Sequence, residues 1–263
     1  MSFRRTAILI AKSFTSAPPR IKGLGIALAW VANFFRRWDV DVETTVFGNR
    51  MRLNSSDYLS NIVLFTPNYY DREERAYVRR IVRKGDYVVD VGANIGIYTL
   101  ILADLVTSTG KVTAIEAEQC NAARLRHNIL LNAMSWVTVH QCGVSDRDEE
   151  LSLQLDNNGN AGAHSFRERV DKAIAAEQRV SCVPLSKLLD HDREPSFLKM
   201  DIEGFEHRVL SQYFNDFPKE KWPRHIMLED VPSLREADAV AVVVGAGYRL
   251  LDRIDFNVFL VKE

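Results

Sequence analysis

The chain has 263 residues, 46% of them apolar and 26% charged, with a formal net charge of −1. These values suit one large α/β domain or a domain with an extension, and the near-neutral balance argues against a general polyanion binder such as a nucleic-acid-coating protein. Three widely spaced cysteines, Cys120, Cys142 and Cys182, fit neither a disulfide framework nor a zinc knuckle and point to a reducing, cytoplasmic setting.

The charge is unevenly placed. Residues 1–38 hold seven basic side chains (Arg4, Arg5, Lys12, Arg20, Lys22, Arg36, Arg37) and no acid, so the remainder carries 27 basic and 35 acidic side chains, a balance of −8. This predicts a basic N-terminal extension over residues 1–40 and a main domain over 41–263. A helix is expected within 25–38, separated from the start of the chain by Pro18-Pro19. Its apolar run, LGIALAWVANFF at 24–35, falls short of the roughly 20 residues that cross a bilayer. Near the start, Lys12 interrupts the apolar stretch that a secretory signal would need. Two roles fit this segment: a helix packed on the main domain, or an interfacial anchor giving peripheral contact with an anionic membrane through residues 1–38.

Residues 44–47 and 50–53 predict a small hairpin turning at Gly48-Asn49. The segment 71–83, DREERAYVRRIVR, predicts a helix with acids leading, bases closing and Gly85 following. From there strands alternate with helices: strand 87–91, helix 95–106, strand 111–115, helix 121–132, strand 137–140. Residues 151–155 and 179–183 read as extra strands with a long polar segment between them. A short helix at 186–189, strand 197–200, helix 206–213 and strand 225–228 follow. Ser233 is expected to cap a helix that runs to Val244 and stops at Gly245 and Gly247. Strands at 248–252 and 257–261 close the chain as a hairpin, which makes the last strand antiparallel. The alternation implies an α/β fold with a mostly parallel sheet and helices on both faces.

Residues 87–99, YVVDVGANIGIYT, read as a buried strand, a tight glycine turn and the first turn of a helix. Gly92 and Gly96 let the backbone turn sharply and approach a ligand, and unpaired N–H groups are expected at the start of the helix. The dinucleotide fingerprint G-x-G-x-x-G is broken by Asn94 and Ile97, which disfavours an NAD oxidoreductase. Asp90, just before the turn, suits a ligand with positive charge. Glu116, ending the next strand, is placed to accept both hydroxyls of a ribose. Together these point to S-adenosylmethionine, held by Asp90, Gly92, Ala93, Asn94, Gly96, Thr99, Glu116 and Ala117. Cys142 and Gly143 follow the third strand, beyond whose carboxyl end ligands sit in such sheets, and are placed to flank the adenine.

The segment 199–206, KMDIEGFE, brings carboxylates to a strand end, where burial without partners is costly; they should face a cleft. Asp201 and Glu203 are candidates for a base or clamp at a substrate hydroxyl. Asp201 with Glu229 or Asp230 is a weaker candidate for a divalent cation through oxygen ligands. His164, in the loop DNNGNAGAHS at 156–165, titrates in the useful range and is a third candidate base. An Asn/Asp-Pro-Pro-aromatic turn that would hold a flipped base is missing after 197–200, so a nucleic-acid acceptor is not expected.

The motifs VVDVGANIGIYT, AIEAE, the NNGNAGAHS loop, FLKMDIEGFEHRVL and IMLED together resemble the FkbM-type class I methyltransferases, over residues 69–261. The resemblance implies a seven-stranded Rossmann-like fold, S-adenosylmethionine as cofactor, and O-methylation of a hydroxyl on a sugar, glycolipid or polyketide-type molecule. Ala117 stands where that family usually has proline after the ribose-binding acid. The rival reading is a non-catalytic protein that binds S-adenosylmethionine or a nucleotide.

Overall fold

The computed structural model of the chain describes residues 3–15, 24–156, 174–231 and 237–263. The N-terminal segment forms two helices, α1 (Phe3–Thr15) and α2 (Leu24–Phe35). A hairpin follows, β1 (Asp41–Val46) and β2 (Asn49–Asn54). Its two-residue loop is Phe47-Gly48, both at positive φ (53° and 92°), the backbone that matches strand twist. Asn49 pairs with Val46 in the ladder rather than sitting in the turn. Next come α3 (Tyr58–Phe65), capped by the Asp57 side chain on Ser60 N, and α4 (Arg72–Ile81). The sequence pattern gave no element for α3, whose half-buried apolar run lacks a helical stripe.

The core alternates as expected: β3 (Tyr87–Val91), α5 (Ile97–Val106), β4 (Lys111–Ile115), α6 (Gln119–Leu131), β5 (Val137–His140). Three strands then build a separate small sheet: β6 (Gly143–Ser145), β7 (Glu149–Asp156) and β8 (Ile174–Pro184), with β8 in the middle. The chain returns through β9 (Phe197–Met200), α7 (Glu206–Asp216), β10 (His225–Glu229), α8 (Ala239–Gly245), β11 (Tyr248–Ile254) and β12 (Asn257–Lys262). α8 starts later than expected, because the Asp238 side chain caps it by accepting from Ala241 N. Ser233 lies outside the described residues.

The main sheet has seven strands in the order β11-β12-β10-β9-β3-β4-β5. β12 runs antiparallel to both its neighbours; β10, β9, β3, β4 and β5 are mutually parallel. This is a Rossmann-like sheet with helices on both faces. β3 shows why. All five of its residues are buried, and alternate side chains serve opposite cores: Val88 joins the core beneath α4, α5 and α6, while Tyr87, Val89 and Val91 join the one beneath α7 and α8. The chain runs outward from β3 through β4 to β5, then crosses back to β9 on the other side of β3. The order therefore reverses between β3 and β9, where a parallel sheet opens a crevice at its carboxyl ends.

Candidate functional site

A cavity of about 410 Å³ opens at that reversal. Gly92, Ala93 and Asn94 after β3, Glu116 and Ala117 after β4, and Cys142 and Gly143 after β5 line one part of it. Asp201 and Glu203 after β9, with Glu229 at the end of β10, line another. His164 and its loop lie outside the described residues.

The glycine turn is built for packing. Gly92 is at φ 73°, and a Cβ there would overlap the backbone carbonyl of Asp201. The turn after β3 and the turn after β9 therefore touch, which only glycine allows at this φ. Gly96, at φ 96°, packs against α6: a Cβ would come within 2.6 Å of Leu125 Cδ1. It does not line the cavity.

The turn's donors are already used. Gly92 N and Ala93 N both donate to Ile115 O (3.0 Å each), and Gly96 N donates to Ala93 O (2.9 Å). Asn94 N donates to Glu116 Oε2 (2.7 Å), and Ile95 N to the Asn94 side chain (2.7 Å). The donors of Gly92, Ala93, Asn94, Ile95 and Gly96 are thus taken within the protein, ahead of the helix that starts at Ile97. Asn94 and Glu116 have taken the donors that a phosphate would need.

Glu116 is a buried carboxyl that also accepts from Glu118 N through Oε1 (2.8 Å). Each oxygen holds one backbone N–H and keeps acceptor capacity toward the cavity. Burial pushes its pKa up to about 7, against the two backbone hydrogen bonds that favour the charged form. The next acid, Glu118, caps α6 by accepting from Cys120 N and Asn121 N.

Asp90 and Thr99 stand behind the cavity wall. Asp90 is fully buried, and its Oδ2 accepts the Thr99 hydroxyl at 2.6 Å. Its Oδ1 lies 3.7 Å from the ammonium of Lys199. Lys199 itself reaches the cavity, 3.4 Å from Asp201 Oδ2 and 3.4 Å from Gly92 O. Burial alone would lower its pKa, but Asp201, Asp90 and Glu229 outweigh that and raise it. Lys199 is therefore a fixed cation joining the two turns.

Asp201, Glu203 and Glu229 bring one carboxylate oxygen each within 4.8 Å of one another. Burial first, then the charges of Asp201 and Glu203, raise the pKa of Glu229. Its neighbour Glu206, whose Oε1 accepts from Ile202 N (2.8 Å), is pushed up to about 7 by burial. Oxygen donors at this spacing suit a divalent cation, although Lys199 competes for Asp201. Asp230 points elsewhere: it is buried in an ion pair with Arg253 at 2.8 Å and does not line the cavity.

The sequence reading missed the wall opposite. Tyr70, Asp71, Glu74 and Tyr98 line it, and Tyr98 donates to Asp71 Oδ2 at 3.1 Å. Asp71, expected as the first acid of a helix, sits in the left-handed region at φ 42°, and its side chain makes no cap bond but accepts from Tyr98. The Tyr69-Tyr70-Asp71 triplet was the available signal, but it has no spacing that separates it from an ordinary helix lead.

A family model described as the methyltransferase FkbM domain matches residues 90–232, more than half of the chain. A curated protein, methyltransferase 1 of Beauveria bassiana (strain ARSEF 2860), is 25% identical over 148 residues, which are 47% of this chain and 57% of that protein. The chain thus spans little more than half the length of that relative. Among solved structures, a methyltransferase FkbM from Methylobacillus flagellatus KT aligns with TM-score 0.45 and 20% identity, over 78% of this chain and 55% of the other. A SAM-dependent O-methyltransferase from Thermotoga maritima aligns with TM-score 0.43 and 13% identity, over 73% and 65%.

Proposed function

The chain belongs to the FkbM methyltransferase domain family, and from that premise we propose that it is an S-adenosylmethionine-dependent O-methyltransferase. Its acceptor would be a hydroxyl on a sugar, glycolipid or polyketide-type molecule. The observation that carries the reading is the pairing of a donor-saturated glycine turn with the buried acceptor Glu116. Such a site has little to offer a pyrophosphate and much to offer ribose hydroxyls. The residues fit the cofactor: Glu116 would accept from the ribose, Ala93 and Asn94 would wall the turn, and Cys142 and Gly143 would flank the adenine. When bound, S-adenosylmethionine supplies an electrophilic sulfonium methyl.

Asp201, or Glu203 beside it, would accept the acceptor hydroxyl's proton. Lys199, 3.4 Å from Asp201, holds that carboxylate in place. Tyr98 and Tyr70, which line the same cavity, would bound a sugar or polyketide skeleton. The rest of the contribution is alignment of two bound reactants, which can remove several kcal/mol of barrier.

The cavity's charge narrows the acceptor. Seven carboxyl residues line it (Asp71, Glu74, Glu116, Asp201, Glu203, Glu229 and Asp255) against one ammonium, Lys199. Carboxylates accept hydroxyl and amine hydrogens and repel phosphate. The part of the acceptor that enters is therefore neutral or amine-bearing.

The test is incubation with methyl-labelled S-adenosylmethionine and a small-molecule cell extract, with Glu116→Ala as control. A base-stable methyl ether on a neutral or cationic product is expected. Label recovered in methyl esters or on nitrogen would contradict hydroxyl methylation, and cofactor binding without transfer would favour the binding-only reading.

A further inference from the structure

We infer that the outer faces of α1 and α2 rest on an anionic lipid bilayer, independently of which acceptor the cavity takes. Both helices are fixed by their inner faces. Ile8 of α1 is fully buried, and Lys12 donates to Thr44 Oγ1 (2.6 Å) and Thr45 O (2.5 Å) on β1. Phe35 of α2 stacks on Phe65 of α3, with ring centres 5.2 Å apart and planes 13° apart. Helical periodicity then decides what faces outward. Phe3 and Ile10 are seven residues apart and share the side of α1 away from Ile8; they are 82% and 55% exposed. Trp30 and Phe34 are four apart on α2 and are 75% and 52% exposed, with one edge of the Phe34 ring against Phe35 and Trp38 (ring centres 5.2 and 5.6 Å apart).

These are four of the eleven exposed large apolar side chains among the described residues, gathered on two short helices. Such grouping marks a contact surface rather than chance exposure. The charge says what it contacts. Residues 1–38 carry seven basic side chains and no acid, while the rest of the chain is at −8. Arg4 on α1 and Arg37, two residues past the end of α2, are exposed. Aromatic and aliphatic side chains beside arginines fit the boundary between headgroups and acyl chains. Helices of 13 and 12 residues are too short to cross a bilayer but long enough to lie in it, and no described helix is long and apolar enough to span a membrane. A second copy would present the same positive charge and repel. The negative body of the domain would turn away from the lipid.

The two-helix layer also adjoins the cavity. α2 packs on α3 through Phe35 and Phe65, and Leu59 of α3 lines the cavity. A bilayer under the layer would bring a lipid-carried acceptor to the same side of the molecule.

The test is sedimentation of the full chain with vesicles of phosphatidylcholine alone or with about one-third phosphatidylglycerol. Binding is expected to the mixed vesicles only, and to weaken as salt rises. The double variant Trp30→Ala, Phe34→Ala should lose about tenfold or more in vesicle affinity, and Arg37→Ala roughly fivefold. Leu130→Ala, which removes another exposed apolar side chain on α6 (77% exposed), should leave binding unchanged. Circular dichroism of each variant would confirm that it folds. Absence of binding to mixed vesicles, binding equal on pure phosphatidylcholine, or indifference to the double variant would overturn the inference. So would self-association, seen by ultracentrifugation and removed by the double variant.

Discussion

Two groups of acids surround the same cavity, Glu116 of the first and all three of the second lining it, and the fold treats them oppositely. On the β3–β4 side each acid has partners built in. Asp90 holds Thr99 and neighbours Lys199, Glu116 holds two backbone N–H groups, and Glu118 caps α6. On the β9–β10 side Asp201, Glu203 and Glu229 face one another, and Lys199 is the cation recorded near them among the described residues. The first group fixes backbone before any ligand arrives. The second stores repulsion that a proton or a hydrogen-bond-donating ligand relieves. One side is a rigid cradle and the other is responsive, which is the division a two-substrate site needs.

Breaking the first group should cost the most. Asp90→Ala leaves the Lys199 ammonium buried beside one fewer partner, and a buried pair broken on one side typically costs about 3–5 kcal/mol. Urea unfolding should show that loss, while Asp90→Asn should show less. An unchanged midpoint for Asp90→Ala would remove Asp90 from the scaffold. In the second group, Asp201→Asn should leave cofactor affinity near wild type and cut turnover by about 10²-fold or more. Surviving turnover would move the base to Glu203.

The acids also predict a pH trend. Glu116 and Glu206 titrate near 7 in the folded chain, above an ordinary value of 4.5, and Glu229 is raised as well. A carboxyl whose folded pKa is raised binds more protons folded than unfolded in the interval between the two values. Stability therefore falls as pH rises from 4.5 to 7. Thermal melts of the ligand-free chain should show Tm decreasing across that window. The smallest effect expected is from Glu229→Gln, which keeps shape and removes a carboxyl that burial and its acidic neighbours force to take up a proton on folding. It should stabilise the ligand-free protein by about 1 kcal/mol and flatten the pH trend.

Much of this was legible in the sequence, for identifiable reasons. β3, β4, β9 and β10 are buried on both faces and read as apolar runs, and the glycines and acids that end them mark the turns. The closing hairpin of β11 and β12 followed from their short connection. What periodicity could not show was contact across the sheet. That Gly92 is demanded by the Asp201 carbonyl, and that Lys199 spans Asp90 and Asp201, are consequences of β3 and β9 being neighbours across about 110 residues. The same limit hid Asp71, whose role depends on an unusual φ and on Tyr98. Sequence spacing likewise does not show that the turn's N–H groups are held by Ile115 O and Glu116, at the end of the next strand. Asp230 looked equivalent to Glu229, but strand alternation turns it to Arg253.

The central claim is that Glu116 and the turn it organises hold the ribose of S-adenosylmethionine. Calorimetric titration of the wild-type chain and of Glu116→Ala with S-adenosylhomocysteine tests it most directly. One-to-one binding by the wild type and a loss of about 10²-fold or more in the variant are predicted, since both hydroxyl contacts and the order of the turn would be lost. Equal affinity in the two proteins would contradict it.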